Sequence, residues 1–551
     1  MIATILIWIY LFILFYVYGF ATASELLNLF RIDRSERLPV PLLVLIGMVV
    51  ITALSSILNL FIPLGVASSI ILFAGGLLLF VRYHPFQGMR VDRYPTGVWV
   101  LLALIFLTVL EIATHRPSVS DTALYHAQTI RWFESYPAVA GLGNLHHRLA
   151  FNSSWLVLHA AFSLAFLGLR SFHLVNSFFI LIVLSYFLGG IKDLSRGTAS
   201  WSVFCKILFI PLTFYLFSSV VSSPAYDLPV SLLIWLIVIL WMEMIERDSG
   251  FNAYSLVIFI LSVYALTIKL SALPLAGFAA WLIIAQVREK NWRRTAALFA
   301  MASLILIPWM ARSVILSGYL VFPVSAIDLF SPDWKIPVGQ VEDVKNGVVG
   351  FARLPGKNWQ SALTMPFSEW VPIWFKDLTS NQQGILLFAL LSPVLLWLMR
   401  FLNFKITRYQ IFGFFVLYVG ILFWFFSAPD IRFGYGFLVG ACLLALSLFA
   451  SILLKNTNAS IRSTGFVVLL VLFQAYSLFY SVDAATLKDR ILFPKDYSAS
   501  RAEPCDIKNG TVYCRVEGGQ CNYELFPCIP SPRPNVEMRG ETFSDGFRVI
   551  P

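Results

Sequence analysis

The chain reads as an all-α polytopic membrane protein with about 14 transmembrane helices, extracytoplasmic interfacial helices and a small disulfide-containing C-terminal tail. Three features carry that reading. Of the 551 residues, 58% are hydrophobic and 13% charged, against about a quarter charged in a soluble domain. The mean hydropathy of +0.78 implies more apolar surface than a soluble core can hide. The apolar residues also form continuous runs of roughly 17–25, long enough to cross a bilayer as helices, without the alternation of a membrane barrel. In lipid every backbone polar group needs an internal partner, so these runs are expected to be helical.

The runs lie near 2–22, 39–62, 64–82, 97–114, 173–191, 201–219, 228–245, 252–270, 271–287, 295–314, 384–402, 409–427, 433–454 and 465–484. The first has no Lys or Arg before it and no small-residue cleavage site, so it reads as a span and not as a signal peptide. Basic residues in short loops set the orientation. With the N-terminus outside, "RIDRSER", "RYHPFQGMRVDR", "KDLSR", "REKNWRR", "RFLNFKITR" and "KNTNASIR" all fall inside. Three long segments, 115–172, 315–383 and the tail 485–551, then fall outside. This topology requires the apolar stretch 152–169 to lie along the outer interface, where Trp155 and His159 suit headgroup depth.

The net charge of +10 is scattered through short loops and forms no dense basic patch, which argues against a nucleic-acid partner. No Walker loop, dinucleotide fingerprint or H-E-x-x-H is present. Cys205 and Cys442 stand alone in apolar runs and read as small core residues. Cys505, Cys514, Cys521 and Cys528 cluster in the polar tail, where disulfides of any of three pairings fit an oxidising compartment. A zinc site is the competing reading, although no C-x2-C pair is present.

Chemistry concentrates on the outer side. In "HRPSVSDTALYHAQTIRWFESYP" Ser120 is expected to cap a short helix running to about Tyr136, with Asp121, Tyr125, Gln128 and Trp132 on one face and His126 beside it. "NLHHR" adds His146, His147 and Arg148. The plain alternative is an amphipathic surface helix. Other ionisable residues sit at span ends on the same side: Asp227, Lys269, Arg312, Asp430 and Arg432. Each has a bland reading. Asp227 suits a helix dipole, Lys269 can snorkel, and Asp430 can pair with Arg432. Ionisable groups at membrane depth are expensive and so are functional candidates. The cations Arg148, Lys269, Arg312 and Arg432 suit a phosphate, the apolar surroundings suit a lipid, and Tyr125, Trp132 and Trp155 suit sugar faces.

In layout the chain resembles the GT-C superfamily of integral-membrane glycosyltransferases, which use polyprenyl-phosphate-linked sugars. The resemblance rests on a span at 97–114, an outer-loop Asp121, an interfacial helix at 152–169 and a return span at 173–191. It rests further on Asp227, on Lys269, and on Pro308, Trp309, Arg312, Gly318, Tyr319 and Pro323 opening a large outer loop. "PDIRFGYG" and the tail ending "EMRGETFSDGF" resemble a subset of uncharacterised bacterial members. The resemblance divides the chain into extra N-terminal helices at 1–96, a catalytic module at 97–484 and an extracytoplasmic tail at 485–551. It implies that Asp121 is the general base and that 315–383 helps bind donor or acceptor. Many members carry D-x-D or E-x-D in the first outer loop. This chain has Asp121 alone there, which leaves dependence on a divalent cation open and no cofactor certain.

The expected activity is therefore inverting sugar transfer from a polyprenyl-phosphate-type donor to a glycan, lipid or protein acceptor, at the outer face of a bacterial cytoplasmic membrane. Asp121 and Asp227 are the expected catalytic residues. Tyr125, His126, His146, His147, Arg148, Lys269, Arg312, Asp430 and Arg432 are expected to bind substrate, and no residue is assigned to a metal. The alternatives are a surface-polysaccharide polymerase or ligase, and a lipid-linked sugar transporter.

Overall fold

The computed structural model describes residues 1–33, 38–87, 94–168, 172–247, 250–399, 407–531 and 535–550. Arg34, Arg37, Arg90, Arg93, Arg400 and Lys405, all used to set the orientation, and the end of the stretch 152–169 lie outside the described residues.

The first four helices are α1 (Ile2–Phe30), α2 (Val40–Leu58), α3 (Val66–Tyr83) and α4 (Thr96–Ala113). The outer segment follows, with α5 (Ala127–Ser135), α6 (Leu142–Leu145) and α7 (Ser154–Ala161). Next come α8 (Val175–Ser195), α9 (Trp201–Phe217), α10 (Asp227–Glu246), α11 (Ala253–Ile268), α12 (Ala276–Arg288) and α13 (Trp292–Ser317). The second outer segment holds α14 (Val338–Arg353), α15 (Trp359–Thr364) and α16 (Phe367–Asp377). The chain then returns through α17 (Ser380–Met399), α18 (Arg408–Ser427), α19 (Ile431–Leu453) and α20 (Ala459–Ser481), and a short α21 (Leu487–Arg490) opens the tail.

Among the described residues 13 helices are long and apolar enough to cross a membrane. The fourteenth expected span is α11, which is apolar but has 16 residues, about 24 Å of helix. It still runs the full course, because Lys269 at its end meets Asp227 at the start of α10. α10 is the central post, 89% buried across its apolar window, whereas α3, α17 and α20 are 17% buried and form the periphery. The α1–α2 pair packs backbone to backbone. A Cβ added at Gly19 would lie 1.7 Å from the Leu43 carbonyl oxygen, and one at Gly47 would lie 1.8 Å from that of Phe15, the close approach that small residues permit between helices in lipid. α2 also packs on α7, α8, α11 and α13, so α1 and α2 are built into the bundle.

The ends of the helices confirm their alternation. Asp227, Lys269 and Asp430 gather at one end of the bundle. At the other, Lys206 near the start of α9 pairs with Glu243 near the end of α10, and the Tyr186 hydroxyl donates to the same carboxylate. Both members of that ion pair are buried, so it ties α8, α9 and α10 together. Cys205 and Cys442 are buried free thiols.

The stretch 152–169 departs from expectation. Its helix, α7, has eight residues, all buried, and packs against α2, α5 and α11. Trp155 Nε1 donates to Asn176 Oδ1 at 2.6 Å, and the same oxygen lies 3.4 Å from His159 Nε2. Both side chains are fully buried in protein, so neither is exposed to lipid. They are internal braces, because Asn176 offers a buried polar partner that lipid cannot.

The tail forms β1 (Ala502–Ile507), β2 (Gly510–Arg515), β3 (Cys528–Ile529), β4 (Val536–Met538) and β5 (Phe547–Val549). β1 and β2 are antiparallel, β3 adds to β2 in parallel, and β4 pairs with β5 antiparallel. Disulfides join Cys505 to Cys514 and Cys521 to Cys528, selecting one of the three pairings. Fully buried Gln128 on α5 docks this unit: its amide donates to the carbonyls of Asn522 and Leu525 at 2.9 Å and accepts from the Cys528 N–H at 2.9 Å. Buried Arg490 anchors the entry to the tail by donating to Glu111 Oε1 at 2.6 Å, Thr114 Oγ1 at 2.8 Å and the Asp483 carbonyl at 3.1 Å.

Removing Arg490 leaves the Glu111 carboxylate buried without its cation, which typically costs about 3–5 kcal/mol. Arg490→Ala is expected to lower the unfolding temperature of the detergent-solubilised protein and to expose residues 485–551 to protease, while Arg490→Lys recovers part of the loss.

Candidate active site

The site begins where α4 ends. The chain turns back at Val119, whose carbonyl accepts from the N–H groups of Thr122 at 3.0 Å and Ala123 at 3.3 Å. The first turn is thus closed by backbone, and no side-chain cap from Ser120 forms. Residues Thr122–His126 are wound as one π-helical turn, in which the Ala127 N–H reaches the Thr122 carbonyl five residues back. Such widened turns recur at functional sites. Here the extra residue sends Asp121 toward the helix ends of the bundle, while Gln128 and Trp132 face the tail. The single face expected for Asp121, Tyr125, Gln128 and Trp132 is therefore divided.

Asp121 lies between two arginines from distant parts of the chain. Its Oδ1 is 3.3 Å from Arg148 Nη1, and its Oδ2 is 3.3 Å from Arg432 Nη1. Arg432 is itself held by Asp430, the N-cap residue of α19. Asp430 Oδ1 accepts the Arg432 backbone N–H at 3.1 Å, and Oδ2 lies 2.9 Å from Arg432 Nε. The capping and pairing roles of Asp430 are thus both met, and they position the guanidinium that reaches Asp121.

A second ion pair completes the cluster. Asp227, the first residue of α10, pairs with Lys269, the extended residue that ends α11. The ammonium sits 3.3 Å from the Phe433 ring centroid and 5.7 Å from that of Tyr226. The Tyr226 and Tyr125 hydroxyls share a 2.9 Å hydrogen bond, and Arg148 stacks over the Tyr125 ring at 5.3 Å. His126 fills the space behind. Its ring contacts those of Tyr125 and Tyr226, and its Nδ1 lies 3.1 Å from Thr122 Oγ1. The geometry thus brings together Asp121, Tyr125, His126, Arg148, Asp227, Lys269, Asp430 and Arg432.

The electrostatics follow from burial against charge. Burial pushes the Asp121 carboxyl up, but His126 in its protonated form, together with Arg432, Arg148 and Lys269, outweighs it and holds the group below its ordinary range. Asp121 is therefore a carboxylate at neutral pH. Asp430 goes the other way, raised by burial against the opposing pull of Arg432. His126 is pushed down to about 4 by burial, despite the attraction of Asp121 and Asp227, so its imidazole is neutral.

Arg312 does not join the cluster. It is fully buried. Its guanidinium bonds Asn59 Oδ1 and, at 3.3 Å, Asn152 Oδ1, and it lies 4.3 Å from the Phe133 ring centroid. Asn59 in turn donates to the carbonyls of Phe133 and Tyr136, and Asn152 to that of Trp309. This amide cage ties α2, α5 and α13 together and keeps Arg312 apart from Arg148, Lys269 and Arg432. His146 and His147 stack on one another at 4.5 Å just before Arg148, with no contact to Asp121.

Reading the sequence missed Tyr226 and Phe433. Each stood beside a chosen charge, in "SSPAYDLP" and "PDIRFGYG", and adjacency alone did not show that their rings would pack on Lys269. Among the described residues no group of three or more His, Cys, Asp or Glu is placed to hold a metal. Asp121, Asp227 and Asp430 each face a cation instead.

Two adjoining grooves of about 300 and 460 Å³ run along α18. Leu273, Pro274 and Gly277 form the opposite wall of the first, and the second continues to Ser427, at the turn leading to Asp430. On the far side Trp374 of α16 donates to the Pro429 carbonyl at 2.8 Å, bringing the second outer segment against the same turn.

Because His126 is neutral in the fold and protonates near 6.5 when unfolded, the unfolded chain binds more protons as pH falls. The stability tied to this group is complete above about pH 6.5 and is lost toward about pH 4. His126→Asn is expected to flatten the fall in unfolding temperature between about pH 7 and about pH 5 relative to wild type, measured by thermal unfolding in detergent.

No curated protein matches the sequence. Among solved structures the chain overlaps arabinosyltransferase EmbB from Mycobacterium smegmatis at 11% identity and a TM-score of 0.33, covering 80% of this chain and 49% of that one. It therefore spans about half the length of EmbB, and an overlap of this quality carries no inference. Residues 1–439, from α1 into α19 and so through every member of the charged cluster, match the family described as a domain of unknown function, DUF8201, and the chain belongs to that family.

Proposed function

We propose that this protein is an inverting membrane glycosyltransferase that moves a sugar from a polyprenyl-phosphate-type donor to an acceptor at the extracytoplasmic face. The observation that carries the reading is Asp121, an ionised and part-exposed carboxylate set between Arg148 and Arg432 at one end of the bundle. A carboxylate beside paired guanidiniums supplies both halves of a displacement at an anomeric carbon. Asp121 takes the proton from the acceptor hydroxyl. The hydroxyl oxygen then forms its bond to the anomeric carbon as the bond from that carbon to the phosphate oxygen breaks. The released electron pair stays on the phosphate, where Arg148 and Arg432 stabilise charge that is largest in the transition state. Asp227 and Lys269 orient the acceptor.

The grooves along α18 support a lipid-borne phosphate, because a tail lying there leads to the turn at Asp430 and Arg432. The tail disulfides support placing this end in an oxidising compartment. The second outer segment, seated on Pro429, is positioned to contact donor or acceptor. A glycan polymerase or ligase would use the same cations with longer glycans, and incubation with single-sugar and oligosaccharide donors separates the two.

Asp121→Asn is expected to keep the fold and lose about 10²–10⁴-fold in transfer, the range for removal of a general base. The measurement is sugar release from synthetic isoprenyl-phosphate sugars by purified protein. Wild-type rates in the variant remove Asp121 from the chemistry. Accumulation of substrate in sealed vesicles without any covalent product replaces transfer with transport.

A further inference from the structure

Resting on that reading, we infer that Asp121 is the internal placeholder for the ligand's phosphate: it occupies Arg148 and Arg432 while the site is empty, and the arriving phosphate displaces it and frees it to act as base. Three observations lead here. The first is the charge count. The cluster holds three cations, Arg148, Lys269 and Arg432, and three carboxylates, Asp121, Asp227 and Asp430. The count is closed, so an incoming anion meets free cations only if one carboxylate leaves.

The second is the unequal hold on the three. Asp430 accepts a backbone N–H at the start of α19 as well as a guanidinium N–H. Asp227 lies in the first turn of α10, where the helix dipole favours it, and pairs directly with Lys269. Asp121 makes no capping bond. Among the described residues, Arg148 and Arg432 are its hydrogen-bond or ion-pair partners, each through one nitrogen at 3.3 Å. That is longer than the roughly 2.7–2.9 Å of a strong charge-assisted bond, and neither guanidinium engages as a fork. The carboxylate with the weakest hold is the one placed on the two arginines.

The third is access. The side chains of Arg432, Arg148 and Asp121 are 37%, 34% and 25% exposed, whereas Arg312 is 0%. A phosphate can therefore approach both guanidiniums from the open side and compete with Asp121 for them. Once phosphate oxygens take the two guanidiniums, Asp121 loses two of the four groups that hold its proton affinity down, His126 and Lys269 remaining. It then stands next to a new negative charge, so it becomes a stronger base only after the donor is seated. The binding order follows: phosphate-bearing lipid first, acceptor hydroxyl second.

The test is equilibrium binding of geranyl phosphate, with inorganic phosphate in parallel, to the purified full chain in detergent. If Asp121 competes with the ligand, Asp121→Asn and Asp121→Ser should each bind geranyl phosphate about tenfold more tightly than wild type, since the competent state is no longer diluted by the self-paired one. Arg148→Gln and Arg432→Gln should each weaken binding by tenfold or more. Asp430→Asn removes the same unit of charge while its amide oxygen can still accept from Arg432 and keep that guanidinium on Asp121, and it should gain clearly less than Asp121→Asn. Unchanged or weaker binding by both Asp121 variants overturns the inference while leaving the phosphate site standing. So does an equal gain in Asp430→Asn, which would reduce the effect to bulk charge. Failure of wild type to bind either probe sinks the lipid-phosphate reading and this inference with it. Tight binding of inorganic phosphate alone overturns the lipid source but not the displacement.

Discussion

The ion pairs that hold Asp121 between Arg148 and Arg432 are the contact on which the site depends. They join an outer loop after α4 to the start of α19, and the two arginines are separated by most of the membrane bundle in sequence. Charges at the rim of a low-dielectric slab need partners nearby, because desolvation is expensive and water is scarce. Asp430 fixes Arg432, Arg432 and Arg148 fix Asp121, and Lys269 with Asp227 closes the ring. The arrangement is balanced in charge yet open to solvent, which distinguishes it from the sealed pair of Lys206 and Glu243 at the opposite end of the bundle.

Rigidity behind the cluster comes from neutral polar contacts. The amide cage around Arg312 fixes α2, α5 and α13 in one place, and Asn176 braces α7 from beneath. Above, the tail caps α5 through Gln128, and its two disulfides hold strands too short to be stable on hydrogen bonds alone. Asp121 thus projects from a short helix pinned on both sides, with one π-helical turn to set its direction. A catalytic group on a loop gains its precision from such supports.

The apolar side of the design complements the polar one. α18 lines two shallow apolar grooves with Phe412, Phe415 and Phe423, and its C-terminal end leads into the turn that carries Asp430 and Arg432.

Composition and run length determined most of the fold. The helices crossing the membrane, their alternation and the placement of both outer segments and the tail on one side all follow from continuous apolar runs and from Lys and Arg in short loops, since lipid leaves the backbone no alternative to helix. The charged candidates were legible for the same reason: Asp121, Asp227, Lys269, Asp430 and Arg432 stood out because ionised groups are rare at span ends. What the tertiary structure alone decided was partnership. Arg312 looked equivalent to Arg432 in sequence, yet one is caged by amides and the other reaches Asp121, because the distinction depends on which residues of other helices stand opposite. The same holds for α7, whose apolar face meets protein instead of lipid, for the choice among three disulfide pairings, and for Tyr226 and Phe433 packed on Lys269. Local sequence sets what a segment can become, and long-range packing sets which neighbour satisfies each charge.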